Sequence, residues 1–74
     1  MAGNNGETGV YDATYDIVSV LYHALQGAEL YEEYAGDAED AGDQELARFF
    51  QDIQAEEKRR ADRAKALLAT RLKS

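Results

Sequence analysis

The chain contains no cysteine and no proline, has a single histidine, and carries no lysine or arginine before Arg48. Without cysteine there are no disulfides, no thiolate metal sites and no cysteine nucleophile. One histidine, His23, leaves little material for an all-protein zinc or haem site. Without proline, no helix is broken by a ring that lacks an N–H. No apolar run approaches the roughly 20 residues that a membrane span requires. The first residues, Met1 to Gly9, show neither the basic region nor the apolar stretch of a secretory leader, and a cytoplasmic setting is expected. A net charge of −7 argues against nucleic acid as a partner.

What is present is a short, charged, periodic chain. Seventy-four residues make one small domain, and a chain this short needs support from a metal, from disulfides or from association. With disulfides excluded, association with a second copy is the expected source. Residues 1–47 hold eleven acids and no base, whereas residues 48–74 hold all eight bases against four acids. Such asymmetry can orient partners.

Residues 1–10 are rich in Gly and Asn and read as a flexible tail, leaving 11–74 as the structured unit. A helix is predicted over about 12–41, with an inward stripe of Thr14, Ile17, Leu21, Ala24, Ala28, Tyr31, Ala35 and Ala38 at alternating steps of three and four. Gly42 suits the left-handed position that ends a helix, and Asp43 suits the N-cap of the next. The second helix, about 43–73, carries the stripe Leu46, Phe50, Ile53, Glu57, Arg60, Ala64, Leu67 and Arg71. A turn at 42–43 folds the two into an antiparallel hairpin. Apolar stripes this wide are not satisfied by one another, so the expected fold is all-α, with two hairpins forming a four-helix bundle as a homodimer. The acidic turn and the basic open end would then meet across the dimer.

Glu57 and Arg60 interrupt the stripe of the second helix at its centre. The run Tyr31-Glu32-Glu33-Tyr34-Ala35, Ala38, Gly42, Leu46-Ala47, Phe50 and Glu56-Glu57-Lys58-Arg59-Arg60-Ala61 resembles, without a gap, the rubrerythrin and encapsulated-ferritin branch of the ferritin-like superfamily. The resemblance covers roughly residues 20–68. It implies a bundle in which each hairpin contributes one carboxylate from its first helix and a Glu-x-x-His from its second, two hairpins together enclosing two irons. Glu57 matches the motif glutamate. Arg60 stands where the resemblance calls for histidine, and a guanidinium does not ligate iron. Ala24, seven residues before Tyr31, stands at the lost first-helix carboxylate. The resemblance thus implies the frame with a degenerate di-iron site. Arg60 offers a Glu57 carboxylate the charge that a metal would supply, and Ala24 leaves room for it. The expectation is a metal-free core salt bridge between Glu57 and Arg60, with Tyr31, Phe50 and Ile53 packing the interface and Tyr31 able to hydrogen-bond Glu57.

The sequence offers two other sites. Iron could be held in a rearranged interface site by Glu57, His23 and Glu29, given a π-bulge near Gly27 that turns His23 inward; the chain would then be a small iron-binding or ferroxidase protein resembling the encapsulated ferritins. A calcium loop over Asp37 to Arg48 fails at its fifth and twelfth positions, Ala41 and Arg48. No nucleophile–base constellation is read around Thr14 or Ser19, so the reading leans away from an enzyme and leaves the ferroxidase alternative open. Tyr11, Tyr15 and Tyr22 suit a subunit or partner contact. The expected role is a structural or interaction module whose partner is itself, another protein or a metal-competent paralogue.

Overall fold

Two α-helices and a short turn account for nearly all of the fold. The structure, a computed structural model, describes the backbone of residues 9–73 and the side chains of 13–72. Helix α1 spans Gly9–Asp40 and helix α2 spans Gln44–Lys73, and no strand occurs among the described residues. Helix α1 begins three residues before the expected position and takes in Gly9 and Val10, which composition had assigned to the tail. The rest of that tail lies outside the described residues.

The turn is built by backbone hydrogen bonds that use the freed carbonyls of α1. Gly42 N–H donates to Glu39 O at 2.9 Å and Asp43 N–H donates to Ala38 O at 2.9 Å, the paired bonds of a Schellman motif. Gly42 takes φ +76°, where a side chain would be strained. Asp43 immediately caps the next helix: its Oδ1 accepts from Leu46 N–H at 3.1 Å, and its carbonyl accepts from Ala47 N–H at 3.0 Å. One aspartate therefore closes α1 and opens α2, so the chain reverses with no spare residue. Across the turn Gln51 Nε2 donates to Glu39 Oε2 at 3.2 Å.

The seam between the helices is made of alanine. Ala24, Ala28, Ala35 and Ala38 of α1 and Ala47, Ala61 and Ala64 of α2 are the only buried apolar residues among those described. Side chains this small bring helix axes close together. The expected stripe of α1 holds, with Thr14, Ile17, Leu21 and Tyr31 half-buried along the same line. That of α2 holds in part and is shifted toward one edge: Ala64 is buried and Phe50, Ile53 and Glu57 are half-buried as expected, but Ala47 and Ala61 are buried while Leu46, Arg60 and Leu67 are exposed. Helix α2 offers the alanines because they permit the closest approach; its larger residues then face away from the seam.

The hairpin is a single layer. Its principal extents are 52 × 25 × 13 Å, and 13 Å is little more than the diameter of one helix with its side chains. A folded domain normally closes two layers over a core. The described residues form one layer, on which Val20, Tyr34, Leu46, Phe49 and Leu67 remain exposed.

Candidate functional site

Midway along the hairpin, Gly27 of α1 faces Glu57 of α2. A Cβ at Gly27 would stand 3.4 Å from Glu57 Cγ, 3.6 Å from Glu57 Cδ and 3.6 Å from Tyr31 Cε2. These are ordinary van der Waals distances, so Gly27 marks the level at which the Glu57 stem packs against α1. Arg60, one turn further on, donates from Nη1 to Glu57 Oε1 at 2.6 Å. The guanidinium pKa is raised above its ordinary value, chiefly by this hydrogen bond, then by the charge of Glu57, with smaller contributions from Glu56 and Tyr31. Arg60 therefore keeps its charge at every pH where the fold exists.

The sequence reading placed this pair at the centre of a bundle of two hairpins. In one hairpin it lies on the open face: the Glu57 side chain is 17% exposed and that of Arg60 is 53% exposed. Glu57 packs beside Gly27, and Ala24 belongs to the alanine seam at 2% exposure. The expected Tyr31–Glu57 hydrogen bond does not form among the described residues. Tyr31 instead packs toward Tyr34, with ring centroids 6.0 Å apart. Tyr34 packs edge-on against Phe50 at 5.5 Å, and Phe50 meets Phe49 at 5.6 Å, which gives an aromatic cluster on the turn side of the pair.

Two hollows flank the Glu57–Arg60 pair along the open face. The one toward the open end is walled by Ile17, Val20, Arg60, Arg63, Ala64 and Leu67. The one toward the turn is walled by Tyr34, Asp37, Ala41, Asp43, Leu46 and Phe50. Both are mainly apolar, the first edged with arginine and the second with aspartate. Val20, Gly27, Tyr34 and Ala41 recur at seven-residue steps and so run along one side of α1.

The residues of the iron-site reading are not gathered by one hairpin. Helix α1 passes through Gly27 as regular α-helix, without the bulge that would turn His23 inward. His23 is exposed, packs edge-on to Tyr22 with centroids 5.4 Å apart, and pairs with Ser19. Glu29 lines a shallow hollow with Tyr22, Leu25 and Gln26, on another side of α1 from Gly27. Among the described residues no three His, Cys, Asp or Glu side chains converge.

Ser19 does have an imidazole in reach, contrary to the sequence reading. Ser19 Oγ and His23 Nδ1 are 3.5 Å apart, and their spacing of four residues could have disclosed this. The pair lies on the helix surface, and among the described residues no carboxylate bonds to the ring. It is a helix surface contact. No helix among the described residues is long and apolar enough to cross a membrane. Comparison of the chain with family models, with curated proteins and with solved structures finds no match.

Proposed function

We propose that the chain is a structural self-association module: a metal-free, ferritin-like helical hairpin that pairs with a second copy to complete a four-helix bundle. The observation that carries this reading is the all-alanine seam. Burying a methyl-sized group contributes about 0.8 kcal/mol, against about 1.5–3 kcal/mol for a Leu or Phe side chain. The hairpin keeps its larger apolar side chains half-buried or exposed, on a layer one helix thick. A second hairpin supplies the missing layer. The 2.6 Å pairing of Arg60 with Glu57 supports the metal-free part, since the carboxylate already has a cation. A chain so short, cysteine-free and highly charged suits a cytoplasmic scaffold with no chemistry of its own.

Sedimentation equilibrium together with metal analysis tests the reading. The expected result is a species of twice the 8.2 kDa chain mass or a multiple of it, without stoichiometric iron. A monomer at micromolar concentration would overturn the self-association. Stoichiometric iron that disappears in Glu57→Ala would replace this reading with a metal-binding one.

A further inference from the structure

We infer that the second copy docks antiparallel, turn over open end, about a two-fold axis through the Gly27–Glu57 contact. This rests on the self-association reading and adds the register. Gly27 and Glu57 each lie fifteen residues from Gly42, on either side of the turn, so their contact marks a fixed level along the hairpin. Two pairs of wall residues are spaced evenly about that level. On α1, Val20 and Tyr34 lie seven residues to either side of Gly27; on α2, Ala64 and Phe50 lie seven residues to either side of Glu57.

At these two pairs of positions a large aromatic residue on the turn side answers a smaller residue on the open side. A two-fold axis lying in the interface and perpendicular to the helices exchanges the two sides. It sets Tyr34 over the partner's Val20 and Phe50 over the partner's Ala64, so the aromatic cluster of each hairpin fills the open-end hollow of the other. Close-packed interiors require such matching of large with small.

Charge selects the same register. Residues 29–45, which form the turn end, carry eight acids and no base, while residues 58–73 carry seven bases and one acid. Antiparallel docking places the Asp37 and Asp43 edge of one hollow against the Arg63 edge of the other. Parallel docking, turn over turn, stacks acid on acid and aromatic on aromatic and leaves both open-end hollows facing each other. Like charges across an interface suppress association. At the axis the two Glu57 carboxylates approach over Gly27, and each Arg60 lies within one turn of both, so the exposed pair of the single hairpin closes into a four-membered ion cluster. Such a cluster specifies register more than it adds stability.

The absence of cysteine makes the register directly measurable. Val20→Cys and Tyr34→Cys chains are prepared separately and treated with a short bis-maleimide, alone and mixed. Fourteen residues of helix span about 21 Å, beyond such a reagent, so in this register neither variant links to itself. The mixture is expected to yield covalent heterodimer. A mixture that fails to link, or self-linking by either variant, overturns the register while sedimentation of the unmodified chain still reports whether it dimerises. A second pair leaves the apolar walls intact: Asp37→Lys and Arg63→Glu should each weaken self-association by about tenfold or more, and mixing them should restore it. Equal association alone and mixed overturns the register as well.

Discussion

Three glycines in this chain have three different reasons to be there. Gly42 is in the left-handed region at φ +76° with open space around it, so Gly42→Ala meets backbone strain and no clash. Its expected cost is about 1–2 kcal/mol, read from urea denaturation at matched protein concentration. Gly36 lies inside α1, and a methyl group added there would meet nothing within 4 Å, so Gly36→Ala should stabilise by about 1 kcal/mol through helix propensity alone. Gly27 differs from both, since it packs beside the Glu57 stem at the level of the proposed two-fold axis. A methyl group there meets Glu57 and Tyr31 at ordinary contact distance, so Gly27→Ala should raise helix content as Gly36→Ala does without displacing Glu57, which circular dichroism checks. Only Gly42 was legible from sequence, because its flanking pattern changes there. The other two sit in unbroken helical periodicity, and no residue-level signal distinguishes a glycine facing solvent from one facing a carboxylate.

Between the residue and the fold stand the helices, whose ends are more legible in the sequence than their faces. The junction Gly42-Asp43 carries conformational preferences that act locally, so turn and cap appear where the residues place them. Asp43→Ala should cost about 1 kcal/mol in the same urea denaturation, since the Leu46 N–H loses its acceptor. The facing of α2 departs from the expected one for a physical reason. Periodicity marks a broad apolar sector, Leu46 to Leu67, but not which edge of the sector meets the first partner. The alanine edge wins that contact because small side chains allow the tightest helix approach. It follows that Ala61→Leu, inserted into the seam at 2% exposure, should destabilise by about 1–3 kcal/mol through overpacking. Leu67→Ala, on the open face, should leave helix content at high protein concentration nearly unchanged and lower the dimer population instead.

At the scale of the whole molecule, the separation of charge along the hairpin becomes a property of assembly. Raising the ionic strength shortens the Debye length from about 10 Å at 0.1 M to about 3 Å at 1 M, so self-association held in register by its ends should weaken over that range. Sedimentation at several salt concentrations checks this, and an association that strengthens steadily would point to an apolar contact without charge selection. Arg60→Ala should weaken the dimer by leaving two Glu57 carboxylates facing each other without a cation. Lysine at the same position should restore part of that loss, since it keeps the charge but not the planar fork. Because the pKa of Arg60 is raised, the guanidinium stays charged up to any alkaline limit of the fold, and its contribution should be constant with pH on that side.

The sequence by itself determined two helices, their reversal at Gly42 and Asp43, the inward stripe of α1 and the opposition of an acidic turn to a basic open end. These follow from periodicity, capping chemistry and charge order, all of which act over a few residues or depend only on order along the chain. Tertiary structure alone decided that Ala47 and Ala61, rather than Leu46 and Arg60, meet α1, that Gly27 stands beside Glu57, and that Arg60 reaches its carboxylate from the open face. The reason is that these depend on the rotation of one helix against the other. That rotation is set by the closest approach the side chains allow, a quantity shared by two distant segments and written in neither.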